Sequence, residues 1–219
     1  MKFTIIVSFI STLVALGTAQ DNSTATPDDS LAAVRAAFYN AHIPQDLRMN
    51  FNPDMLLDVM FPQSHSGGIT VNIGQQLPRA AMASEPMFSV KGNIRDTDMF
   101  VIAAVDPDAP TPQHPTDAQM RDFLGANFVR GADLGNGFMA LMSRVAPITS
   151  WHQPNPPRGS DLHRIVFLLF EQSKNFNQQM LVTPNTPRDH FDMSTFAMAT
   201  GLGNPRGGMF VRVGPGASS

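Results

Sequence analysis

Residues 99–105 (MFVIAAV) and 165–170 (IVFLLF) are apolar at nearly every consecutive position, so an extended chain there buries both of its faces. Strands of that kind belong at the centre of a sheet covered on both sides. The remaining strand signals have period two. Leu57, Val59 and Phe61 alternate with Asp58 and Met60, and Ile69, Val71 and Ile73 alternate with Thr70 and Asn72. Phe88 with Val90, residues 138–142 and residues 209–213 read as further strands. Many short strands around two fully buried ones give a mostly β chain.

Two helices accompany them. Leu31, Val34, Phe38 and Ala41 recur at helical spacing behind the cap candidates Asp28, Asp29 and Ser30, and that helix should stop before Pro44. Residues 192–200 read as a second, with Asp192 as cap and Gly201 as its stop. The proline- and glycine-rich stretches 153–159 and 203–208 read as shaped loops, and no fixed repeat is visible. Of the 14 methionines, Met99, Met139 and Met142 fall in apolar strand patterns and are read as core filler.

The chain opens with Lys2, an apolar run from Phe3 to Leu16 and the small residues Gly17-Thr18-Ala19, which is the pattern of a cleaved export signal over residues 1–19. Residues 20–30 are polar and expected to be flexible, and Asn22-Ser23-Thr24 is a glycosylation acceptor. Residues 31–219 then form one domain, secreted and without a transmembrane segment in the mature protein. The 219 residues include no cysteine, so an exported fold must hold by packing alone. The formal net charge of −3 becomes −4 once Lys2, the one charge of the leader, is removed, which argues against nucleic acid as a partner.

The chemistry sits where the two doubly apolar runs end. VIAAVDPDAPTPQHP (residues 101–115) carries Asp106 and Asp108 at the mouth of a strand, where positions i and i+2 face the same way. Pro107 and Pro110 stiffen the backbone around them, and Ala109–Pro110 is a candidate cis bond. Turn formation alone would also account for such a stretch. GSDLHRIVF (residues 159–167) places His163 and Arg164 at the mouth of the other run, behind a loop containing Trp151, His152 and Asn155. In STFAMATGLGNPRGGMFVRV (residues 194–213) a helix passes through a glycine turn into a last strand.

Together, Asp106-Pro107-Asp108-Ala109-Pro110, His163-Arg164 with the hydrophobics after it, and Phe196-Ala197 through Gly201-Leu202-Gly203 resemble the phosphatidylethanolamine-binding, or Raf kinase inhibitor-like, family, and its secreted fungal members in particular. The resemblance spans residues 43–213. It implies a large antiparallel sheet packed on a smaller sheet with a few peripheral helices. It also implies a small pocket for phosphate-like anions or phospholipid head groups, walled here by Asp106, Asp108, Pro110, Asn155 and His163, with Arg164 behind the histidine and Trp151 on the neighbouring loop. The family usually has a second histidine where this chain has Asp122. A third carboxylate there disfavours an anion at neutral pH, unless His114 or His152 turns inward.

The function expected is a secreted binding protein for a phospholipid head group or another small polar anion, not an enzyme, with no cofactor and no metal. An inhibitor or interaction protein, for example of a serine carboxypeptidase, is the alternative. A metal-dependent hydrolase built from Asp106, Asp108, Asp122 and His163 is a weaker one, because no ligand spacing of known geometry and no nucleophile elbow is present.

Overall fold

The computed structural model describes residues 30–64 and 67–216. The expected leader, the polar segment 20–29 and the Asn22 acceptor lie outside them.

Among the described residues nine strands form one continuous sheet: β1 (Leu56–Gln63), β2 (Gly67–Thr70), β3 (Gln76–Leu77), β4 (Met87–Lys91), β5 (Phe100–Asp106), β6 (Met120–Gly135), β7 (Phe138–Met142), β8 (His163–Glu171) and β9 (Gly207–Val213). Their order is β2-β1-β4-β7-β6-β5-β8-β9-β3, antiparallel throughout except for the parallel β3–β9 pair at one edge. The sixteen-residue β6 joins the halves: Met120 to Phe128 pair with β5, and Val129 to Gly135 pair with β7. The sheet curls there, so the β1-β2-β4-β7 half packs on the β5-β8-β9 half. Leu57, Val59 and Phe61 meet Phe100, Ile102, Phe167 and Val211 in the layer between them.

The expectation for β5 and β8 holds, since β5 is buried at every position and β8 throughout Ile165 to Phe170. The outward-facing Val101, Ala103, Val105, Val166, Leu168 and Phe170 are covered by helices. In α1 (Leu31–Asn40) the Ser30 hydroxyl accepts the Ala33 N–H at 3.1 Å, and Val34 and Phe38 point into the core. Phe38 stacks on Phe51 with centroids 3.9 Å apart, and burying such a ring contributes on the order of 2–3 kcal/mol. The two rings lie directly over β9, and only a glycine fits at Gly208, where a Cβ would stand 2.6 Å from the Phe38 ring. α1 ends before Pro44, but Pro44 then sits in the first turn of a short α2 (Ile43–Asp46), where its missing N–H is not needed. In α3 (Met193–Thr200) the Asp192 carboxylate accepts the Thr195 N–H at 3.0 Å, and Gly201 closes the helix at φ 71°.

Two sequence expectations are corrected, and one strand has no clear sequence signal. β2 ends at Thr70, so Val71 is buried by a loop and not by a strand. Met99 and Met142 are 41% and 57% exposed, because one precedes β5 and the other ends β7 on the outer face. β6 carries no clean alternation: its register with β5 shifts between the Phe100–Phe128 and Ile102–Gly125 pairs, and Asn127 takes φ 57° with its N–H donated to the Gln172 side chain at 2.7 Å. Among the described residues no helix is long and apolar enough to cross a membrane.

Candidate functional site

β5 and β8 run antiparallel, with Val105 opposite Val166, which brings the end of one beside the start of the other. Asp106 is the last residue of β5 and His163 the first of β8, and they are in direct contact: Nδ1 of His163 donates to Oδ2 of Asp106 at 2.7 Å. A carboxylate only accepts, so Nδ1 carries the proton and Nε2 is turned to the mouth. There it meets the Ser160 hydroxyl at 2.9 Å. Asp106 and His163 are 5% and 2% exposed. Burial raises the Asp106 pKa, opposed by the hydrogen bond and charge of His163.

The carboxylates of Asp106 and Asp108 do not share one place. The strand stops at Asp106, and Oδ1 of Asp106 accepts the N–H of Asp108 at 2.8 Å, so the chain has already turned and the i, i+2 rule of extended backbone lapses. Asp108 instead takes the backbone N–H of Arg164 at 2.7 Å and the guanidinium through Nε at 2.9 Å and Nη2 at 2.6 Å. Nη1 of Arg164 reaches Asp46 on α2 at 2.7 Å and the Ala41 carbonyl. Burial works against the Arg164 charge, but its bonds to Asp108 and Asp46 outweigh it and the pKa is raised. Every guanidinium nitrogen is committed, so this pair ties the 106–110 turn to β8 and to the helices. Ala109–Pro110 is cis, as expected, and Pro110 is half-buried beside the turn.

Asp122, third residue of β6, is 1% exposed. Its Oδ1 lies 3.5 Å from Nδ1 of His152, whose backbone N–H binds the Asp122 carbonyl at 2.9 Å. Oδ2 has no hydrogen-bond partner among the described residues. The pKa is raised to about 7, first by burial, with the Asp106 charge adding to it and His152 and Arg188 opposing. Crowding by like charges is therefore the lesser cause. Of the two histidines, His152 is the one that approaches Asp122, while its own side chain stays 51% exposed. His114 is exposed and pairs with Thr111 through its backbone.

Trp151 faces the core: its ring stacks on Phe167 at 6.0 Å and its indole N–H donates to the Met82 carbonyl at 2.9 Å. Asn155 is exposed on the loop. The sequence reading missed Ser160, which looks like an ordinary loop serine until β8 is placed, three residues short of His163. Ser160, His163 and Asp106 form the connectivity of hydroxyl, imidazole and carboxylate. Ser160 sits on the irregular loop before β8, not on a strand–turn–helix elbow, and its hydroxyl also reaches the Asp161 carbonyl at 3.0 Å. No group of three or more metal-ligating side chains converges among the described residues, so Asp106, Asp108, Asp122 and His163 do not assemble a metal site there.

The family model described as phosphatidylethanolamine-binding protein matches residues 67–205. Protein TERMINAL FLOWER 1 of Arabidopsis thaliana is 28% identical over 162 residues, covering 73% of this chain and 80% of that protein. The 26 kDa secreted antigen of Toxocara canis is 25% identical over 150 residues, 67% of this chain and 53% of that protein. Among solved structures, the carboxypeptidase Y inhibitor, solved in complex with its cognate proteinase, matches with a TM-score of 0.70 at 23% identity, over 86% of this chain and 98% of that one. The phosphatidylethanolamine-binding protein from Plasmodium vivax matches with a TM-score of 0.61 at 18% identity, over 82% and 96%. The two solved structures share the fold of this chain. The chain belongs to the phosphatidylethanolamine-binding protein family.

Proposed function

We propose that this chain is a secreted binding protein, not an enzyme, that holds the phosphodiester of a phospholipid head group, or a similar small anion, at the mouth between Asp106, Ser160, His163 and Asp122. The observation that carries this reading is the buried 2.7 Å Asp106–His163 bond beside an Asp122 whose Oδ2 has no partner. A buried polar atom left without a partner costs free energy that a ligand can offset. Oδ2 is closed to solvent, so binding requires the mouth to open; protonated Asp122 can then donate to a phosphate oxygen, and the Ser160 hydroxyl can add a second donor beside the imidazole. Ionised Asp122 repels the same oxygen. Binding should therefore favour the protonated form, and affinity should fall as pH rises through about 7. Export is proposed on the leader pattern of residues 1–19, and the Toxocara canis relative is itself named as secreted.

A second reading is a protein inhibitor of a serine carboxypeptidase. It is supported by the fold likeness to the carboxypeptidase Y inhibitor and needs a peptidase partner on the outer surface.

Titration calorimetry with glycerophosphoethanolamine separates the readings, because the single charge of this phosphodiester does not titrate between pH 5 and 8. Wild type should bind about tenfold more tightly at pH 6 than at pH 8, and Asp106→Asn should weaken binding by about 1.5–3 kcal/mol. No heat at either pH, together with tight inhibition of a serine carboxypeptidase, would move the function to the second reading. Labelling of Ser160 by a fluorophosphonate would mean the hydroxyl is an activated nucleophile and the chain a hydrolase.

A further inference from the structure

We propose that the cavity of about 450 Å³ between β6, residues 181–192 and α3 is a second ligand site, for a small aliphatic carboxylate, with Arg121 as its counter-ion.

Arg121 is the largest fully buried side chain among the described residues, 1% exposed. Its Nε donates to the Thr149 hydroxyl at 2.8 Å, and Nη2 donates to the carbonyls of Thr186 at 3.0 Å and Pro187 at 3.1 Å. The guanidinium lies 4.9 Å from the centre of the Phe191 ring. All of these partners are neutral. Arg48, Arg95, Arg130, Arg164 and Arg206 each contact a carboxylate, whereas Arg121 contacts none among the described residues. Asp122, next in the chain, does not serve, because it turns to the opposite face and meets His152. The charge that acts on Arg121 is a second cation, Arg188, and burial and Arg188 together lower its pKa to about 10, so it remains charged at neutral pH.

A buried guanidinium without a counter-ion leaves a large desolvation penalty uncompensated. Nη1 makes no hydrogen bond to the described residues, yet it is not among the atoms sealed from solvent, and Arg121 lines the cavity. One free N–H₂ group and one charge suit a monoanionic carboxylate better than a phosphate dianion, which needs more donors. Leu181, Val182, Pro187, Phe191 and Phe196 give the cavity an apolar wall, which suits an aliphatic body. Two acids also line the cavity, Asp192 paired with Arg48 and Asp189 at 3.2 Å from the His190 ring, and their charge disfavours a dianion further.

The test is calorimetry and thermal shift at pH 7 with octanoate as probe and octanol and octyl phosphate as comparators. Octanoate should bind and raise the melting temperature, octanol and octyl phosphate should bind at least tenfold more weakly, and saturating glycerophosphoethanolamine should leave the octanoate affinity unchanged. Arg121→Met should abolish the preference for octanoate over octanol. Ala199→Phe, at an exposed position of α3 on the cavity wall, leaves Arg121 in place and should weaken octanoate at least tenfold, so it decides the matter even if Arg121→Met does not fold. Equal binding of octanoate and octanol, no octanoate binding at millimolar concentration, or unchanged affinity in Ala199→Phe would each overturn the site.

Discussion

Arg164→Met should lower the unfolding free energy by about 3–5 kcal/mol, because it breaks a buried ion pair from one side only. The Asp108 side chain is 5% exposed and takes two of its hydrogen bonds from the guanidinium. Methionine fills much the same volume but supplies neither charge nor donor, so Asp108 is left buried and uncompensated while only the Arg164 backbone N–H remains to it. The same substitution frees α2, since Asp46 and the Ala41 carbonyl lose their shared partner. Urea unfolding measures the change. A loss below about 1 kcal/mol would mean that water reaches Asp108 at no cost and that the pair does not anchor the 106–110 turn.

The second large effect is a dependence on pH that belongs to Asp122. Its pKa lies at about 7 in the folded protein against 3.8 for an ordinary aspartate, so the folded chain keeps a proton that the unfolded chain has released. Stability from this group is present at low pH, falls as pH rises between those two values and is level above about 7. At 1.36 kcal/mol per pKa unit the full span is up to about 4 kcal/mol. Asp106 adds to the same slope, and Asp98 and Asp192, whose pKa values are lowered, oppose it. The informative quantity is therefore the difference between wild type and Asp122→Asn. Relative to wild type, the variant should gain about 2–4 kcal/mol between pH 5 and pH 8. Parallel stability profiles would mean that Asp122 titrates normally. In binding, Asp122→His should strengthen glycerophosphoethanolamine by roughly 1–3 kcal/mol through a charge-assisted hydrogen bond.

What could be read from the sequence was what local physics determines. The doubly apolar runs located β5 and β8 because burial on both faces leaves no polar positions, and Ser30, Asp192 and Gly201 marked helix ends because a cap acts within a few residues. β6 escaped because its bulge at Asn127 breaks the period on which the reading depends. The site divides along the same line. Asp106 and His163 could be paired from the ends of two strands that had to be neighbours. The turn that sends Asp108 to Arg164, the approach of His152 to Asp122 and the Ser160 contact depend on chain segments far apart in sequence, and nothing in their own composition marks them. Resemblance to the family placed Asp122, which periodicity alone would have left inside an irregular stretch. Met142 misled in the opposite direction, since an apolar residue at a strand end is as compatible with an exposed edge as with a core.

The most direct measurement is a crystal structure of the protein with glycerophosphoethanolamine at pH 6. The phosphate should lie at the mouth between β5 and β8, with oxygens about 3 Å from Oδ2 of Asp122 and from the Ser160 hydroxyl, and with the Asp106–His163 bond kept. An empty mouth at saturating ligand, or a phosphate bound elsewhere while Oδ2 of Asp122 stays without a partner, would contradict the account.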